Sequence, residues 1–170
     1  MDTEKLKNHL FAGGTRLFCV LDGASVPDLP VKLYEMGPAN HCLLPGDLEP
    51  ELVYAAPYLV HLAPETEFTE WVFAGAPGNH WGIFVHSAVS MLEMRKHFRG
   101  LINVCNDKGD PMMFRYYDPR VLRKFLPTCT PDEMNTFFGR TDAFFAESAD
   151  GKGMTRFQID EDALKQTELN

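Results

Sequence analysis

The sequence predicts an α/β domain, a mixed sheet with flanking helices in which an N-terminal β/α alternation gives way to hairpins and two short helices. Three observations predict it. Short apolar runs of strand length, LFCVL at Leu17–Leu21, YLVHL at Tyr58–Leu62 and HWGIFVHS at His80–Ser87, alternate with helix-period segments as far as Gly100. Beyond Gly100 the turn clusters NDKGDP and ADGKG each separate two strand-like runs. Finally, 170 residues with 45% hydrophobic composition suffice for one well-buried core.

Taken in order, Leu6, Leu10 and Phe11 fall at helical spacing within Thr3–Ala12, and Gly13-Gly14 closes that segment. Leu17–Ala24 reads as a buried strand ending in an Asp-Gly turn. Its Asp22 stands where α/β enzymes keep a carboxylate and where turn formers also occur. Pro27–Gly37 begins with prolines and ends in glycine, the polarity of a helix. Four prolines between Pro38 and Pro57 predict loop, with one helical turn near Glu49–Leu52. Phe68, Trp71 and Val72 then predict a helix that breaks at Gly75.

Ser90 and Glu93 are spaced as a capping box before a helix that stops at Gly100. Leu101–Cys105 and Met112–Tyr117 make a hairpin. In FRYYDPRVL, Phe114 to Leu122, the residue before proline is driven out of the α region while Pro119 is preset for a first helical position. Asp118 is therefore expected to cap a helix that carries Val121, Leu122 and Phe125 and ends at Pro127. Thr130, Pro131 and Glu133 repeat the device before a helix ending at Gly139, and Asp142–Glu147 with Met154–Ile159 forms a second hairpin. The whole reads as a single domain over 1–170, an α/β lobe to about 127 and a short helical and hairpin part from about 128.

Composition excludes several functions. Sixteen basic against twenty-four acidic side chains give a net charge of -8 with no Lys/Arg stripe, so no nucleic acid partner is expected. The start lacks the order of a signal peptide, and no apolar run approaches the ~20 residues of a membrane span, so a cytoplasmic protein with no membrane partner is expected. Cys19, Cys42, Cys105 and Cys129 are widely spaced, with Cys19 and Cys105 in apolar strand-like runs, and read as buried free thiols.

Catalytic and cofactor signatures are missing from the sequence: there is no G-x-S-x-G, Walker loop, G-x-G-x-x-G after a strand or H-E-x-x-H. No catalytic residue, metal or cofactor is expected. His61 and His86 lie in strands without a second ligand at i+2, and His80 opens its strand beside Trp81. In the Asp-Pro stretch, strand alternation puts Arg115 and Tyr117 on one face with Met113, and Phe114 and Tyr116 on the other. Arg115 is expected to pair with Asp118 or Asp107, the tyrosine hydroxyls to complete a polar network, and Arg120, in a helix's first turn, to need an acid that holds it. This is a packed strand-helix corner in which every residue has a structural role.

The doubled aromatics Tyr116-Tyr117, Phe137-Phe138 and Phe144-Phe145 leave two readings for pairs on strands. Either the sheet is covered on both faces, or one set of rings is exposed for a partner. Phe137, Phe138, Phe144 and Phe145 are the candidate partner-binding residues.

LFCVLDGA, AAPYLVHL at Ala55–Leu62, HWGIFVHS, MRKHFRGLINV at Met94–Val104 and FRYYDPRVL leading to FFG at Phe137–Gly139 occur in an order and spacing that resemble a known family. It is the effector-adaptor chaperones of the bacterial type VI secretion system. The resemblance runs from about Leu17 to Phe145, and Trp81, Arg115, Asp118, Pro119 and Arg120 match its pattern. It implies a non-enzymatic, cytoplasmic adaptor with two protein partners, a toxin effector and the valine-glycine repeat spike protein on which the effector is loaded. Larger members continue into a helical lobe, so either this is a compact member or the last hairpin and the tail Asp160–Asn170 do a reduced version of that work. From the residues alone two alternatives stay open: a small hydrolase-like enzyme using Asp22 or a distant Cys/His pair, and a toxin-neutralising immunity protein.

Overall fold

The computed structural model describes residues 3–106 and 108–169. Helix α1 (Thr3–Phe11) precedes strand β1 (Arg16–Asp22), and α2 (Leu29–Met36), β2 (Asn40–Cys42), α3 (Pro50–Ala55), β3 (Pro57–Leu62), α4 (Glu67–Gly75) and β4 (Gly82–Ser87) follow. Next come α5 (Met91–Ile102), the short β5 (Asn103–Cys105) and β6 (Pro111–Met113), and α6 (Pro119–Phe125), which runs into a 3₁₀ turn at Leu126–Thr128. The chain closes with α7 (Pro131–Phe138), β7 (Ala143–Glu147), β8 (Met154–Asp160) and β9 (Ala163–Leu169).

Seven strands make one sheet in the order β2-β3-β1-β4-β7-β8-β9, and each of its ladders is antiparallel. β5 and β6 pair separately. The predicted α/β class with flanking helices holds. Strand β1 lies inside the sheet between β3 and β4: Leu17, Cys19 and Leu21 pack on one face, Phe18 and Val20 on the other, and none is more than 2% exposed. Two covered faces explain why LFCVL is apolar at every position rather than at every second one. Each large side chain buried this fully contributes roughly 1.5–3 kcal/mol.

Helices α1, α2 and α4 cover one face through Leu6, Leu10, Leu29, Leu33, Phe68 and Val72. The opposite face is covered by α5, α6 and α7 through Met94, Phe98, Leu122 and Phe137. Local signals set the helix starts. Ser90 with Glu93, and Thr130 with Glu133, form complete capping boxes, and Asp118 accepts the Arg120 N–H at 2.9 Å as the N-cap of α6.

Several expectations are corrected. The stretch read as loop after Pro38 contributes the edge strand β2, and its helical turn is α3. Helix α5 runs through Gly100 to Ile102, because Ile102 is 2% exposed and its burial carries the helix past the glycine. Strand β6 ends at Met113, so Arg115 and Tyr117 do not alternate with Met113 on a strand face; Tyr116 and Tyr117 lie in a turn. β4 begins at Gly82 rather than at His80, which has a φ of 53°. The tail forms a third antiparallel partner, β9, through a turn whose central residues Glu161 and Asp162 both have positive φ. Cys105 is exposed, because β5 and β6 stand outside the main sheet with all their residues exposed. The four cysteines are free. No helix among the described residues is long and apolar enough to cross a membrane.

Candidate partner-binding site

The Asp-Pro corner is a closed polar network. Asp22, at the end of β1 and 1% exposed, accepts hydrogen bonds from the Ala24 N–H at 3.1 Å, the Ser25 hydroxyl at 3.0 Å and the Arg115 guanidinium. Arg115 thus pairs with Asp22 and not with Asp118; Asp107 lies outside the described residues. Arg120 folds back on its own N-cap, donating to Asp118 through Nε at 3.0 Å and Nη2 at 2.7 Å. That fork is the acid a cation in a helix's first turn requires. Burial alone would push the Asp118 carboxyl up, but the Arg120 side chain and N–H outweigh it and hold it below its ordinary 3.8.

The other corner residues divide. Tyr116 and Tyr117 are buried, and burial raises both phenol pKa values. The Tyr116 hydroxyl leaves the corner and donates to the Phe98 carbonyl of α5 at 3.1 Å, while Tyr117 stays beside Arg115, Asp22 and Asp118 and contacts the Met113 sulfur at 3.9 Å. Pro119 is buried at the first position of α6. Trp81 contributes its carbonyl, which accepts the Asp22 N–H at 2.8 Å. Its indole lies on the opposite face of the sheet against Trp71, ring centroids 4.8 Å apart. Trp81 precedes β4 and follows His80 with its positive φ, so strand alternation does not reach it. One further buried carboxylate, Glu147, accepts the Gly78 N–H at 2.6 Å and meets His80 Nδ1 at 2.6 Å, fastening the loop before β4 to the sheet. Among the described residues no group of three or more His, Cys, Asp or Glu could hold a metal ion.

The doubled phenylalanines settle as core. Phe144 and Phe145 are 0% exposed on opposite sheet faces, and Phe137 and Phe138 are 3% exposed. As a surface set for a partner, Phe137, Phe138, Phe144 and Phe145 are corrected: both faces of the sheet are covered, so their rings are taken up internally. Phe137 alone also reaches the floor of an open groove.

That groove lies between α5 and α7. One half, of about 550 Å³, is lined by Val89, Lys96, His97, Gly100, Thr136 and Arg140 among others. The other, of about 380 Å³, is lined by Leu101, Val104, Phe114, Phe125, Phe137 and the acidic Asp132 and Glu133. The halves share Gly100, Leu101 and Thr136 and so form one trough. His97 Nε2 lies 2.8 Å from the Phe137 carbonyl and ties the two helices together below it. Burial holds the His97 imidazole below its ordinary 6.5.

Two glycines of this trough behave differently. Gly139 closes α7 with φ +55°, and a Cβ there would meet the His97 ring at 2.6 Å, so the fold requires glycine. Gly100 lies within α5 without positive φ, and a Cβ built on it meets nothing within 4 Å. An interior helical glycine costs up to about 1 kcal/mol relative to alanine, and here the chain's own packing gives no reason for it. Sequence reading takes Gly100 as a helix stop and passes over Lys96, His97 and Thr136; the clue was a glycine followed by two more apolar helix-spaced residues.

A scan against family models matches residues 17–136 to a family described as a domain of unknown function, DUF4123. The match begins at β1, includes the Asp22–Arg115 pair and the Asp-Pro corner, and ends at Thr136 in the trough. No curated protein and no solved structure matches. With the greater part of its length covered by that model, from β1 to the second wall of the groove, the chain belongs to the DUF4123 family.

Proposed function

We propose that this chain is a non-enzymatic adaptor that binds a toxin effector in the cytoplasm and loads it on the valine-glycine repeat spike protein of a type VI secretion system. The observation that carries the reading is the family match over residues 17–136. That family is generally associated with type VI effector adaptors. Two features of the molecule support it. The carboxylate on which an enzymatic reading would rest, Asp22, is buried and occupied by three donors, which leaves it no access to a substrate. The trough, with Leu101, Val104, Phe114 and Phe125 incompletely buried, offers an apolar surface suited to a protein segment.

The test is co-expression with a toxin effector and spike protein encoded in the same secretion locus, followed by size-exclusion chromatography. Co-elution of all three chains is the expected result. A complex with toxin alone would point instead to neutralisation of the toxin, and elution of the chain by itself would overturn the adaptor reading.

A further inference from the structure

We infer that the trough between α5 and α7 seats an amphipathic helix of a partner protein, whose backbone approaches at Gly100. The inference deepens the adaptor reading by naming the kind of segment that would be gripped. Three independent observations converge on it.

The first is Gly100 itself. Its missing side chain opens the wall shared by both halves of the trough, and neither backbone conformation nor internal packing calls for glycine there. Close approach of a second backbone does call for it. The second is the lining. In the second half Leu101, Val104, Phe114 and Phe125 are incompletely buried, and the one hydroxyl of the wall shared by both halves, that of Thr136, donates to the Asp132 carbonyl at 2.9 Å, so an apolar face strands no donor at that hydroxyl.

The third is charge. The trough runs from the start of α5, where Arg140 bonds Glu93 at 2.8 Å, to the start of α7. Glu93, Lys96 and Arg140 line its first half and Asp132 and Glu133 its second; Glu93 and Arg140 pair with each other, whereas Lys96 and Asp132 have no ion-pair partner among the described residues. Helix α5 has 12 residues, so the trough offers about 18 Å, the length of roughly three helical turns. A helix of that length with apolar or small residues at i, i+3, i+4 and i+7, an acidic residue at the Lys96 end and a basic one at the Asp132 end fits it.

A phage-displayed library of 14-residue peptides patterned with that apolar face tests the inference without requiring any effector. Peptides are selected on the wild-type protein and counter-screened on G100A and on G100L. The expected result is a set of helix-patterned binders weakened about tenfold by Gly100→Ala and lost with Gly100→Leu. They should carry opposite charges at their ends. The melting temperature of G100A should meanwhile rise by about 2–4 °C, so lost binding is not lost folding. Selection that yields no binders, or binders indifferent to both variants, overturns the inference and leaves the adaptor reading standing. A wild-type dimer that Gly100→Leu dissociates overturns it too, by making a second copy of the chain the occupant. Failure of the co-expression test alongside Gly100-sensitive peptides would instead remove the toxin and spike as partners and keep the helix seat.

Discussion

The Asp-Pro corner and the α5–α7 trough lie on the same side of the sheet and differ in how their groups are used. At the corner, charge is dense and closed: the Asp22 carboxylate takes three donors, and Asp118 holds the Arg120 fork and N–H. In the trough, charge is as frequent but only partly closed: Glu93 pairs with Arg140 and Glu133 sits in the α7 capping box. Lys96 and Asp132 have no ion-pair partner among the described residues, and Gly100 faces free space. A cluster of arginines, tyrosines and aspartates is thus not by itself a site. The useful signal is an unexplained residue, one whose cost the fold does not recover.

Breaking the corner should have the largest effect on stability and the smallest on recognition. Asp22→Ala would remove the acceptor shared by Arg115, Ser25 and the Ala24 N–H, all three of them reached by solvent, and is expected to cost about 2 kcal/mol, measured by urea unfolding. Peptide binding by the folded fraction should not change. A loss of binding at unchanged stability would reverse the assignment of the two regions.

Acid should weaken the fold as a whole through the histidines. Burial is the chief cause holding His41, His61, His86 and His97 below the ordinary 6.5, so the unfolded chain binds more protons than the folded one once the pH falls past that value. Their contribution is complete above about pH 6.5 and declines below it. Melting temperatures recorded from pH 7.5 to 5 should fall, and fall less in His86→Gln, whose ring lies 2.7 Å from the Leu10 carbonyl and pins α1 to the sheet. The lowered carboxyls Glu93, Asp118 and Glu133 act in a separate window, present above their ordinary values and lost below about pH 4.

Smaller effects sharpen the trough. Thr130→Ala removes one half of the α7 capping box and should cost about 1 kcal/mol by thermal melting. Gly100→Ala should stabilise by up to about 1 kcal/mol, because the added methyl enters open space on a helix. Lys96→Glu, at an exposed position without an ion pair, should leave stability within about 0.5 kcal/mol and lower the association rate of a peptide with an acidic end.

Much of this was legible in the chain. LFCVL, the two capping boxes and the Asp-Pro junction each carry a local rule that tertiary packing did not override, so β1 and the starts of α5, α6 and α7 could be read directly. What could not be read depends on partners distant in sequence. β2 forms because β3 offers it an edge, and β9 turns on Glu161-Asp162, a pair without the usual Asn-Gly signature of a positive-φ hairpin. Arg115 finds Asp22 across 93 positions, and no spacing rule reaches that far. The trough was hidden for the same reason: Gly100 looks like a helix stop until the burial of Ile102 is known.

The most direct measurement is a pull-down of tagged protein from cytoplasm containing the secretion system, with Asp22→Ala and Gly100→Leu beside the wild type and each normalised to folded protein. The expected result is that wild type and Asp22→Ala both recover spike protein and one toxin, while Gly100→Leu loses the toxin. Recovery of neither partner by the wild type, or equal recovery of the toxin by Gly100→Leu, would contradict it.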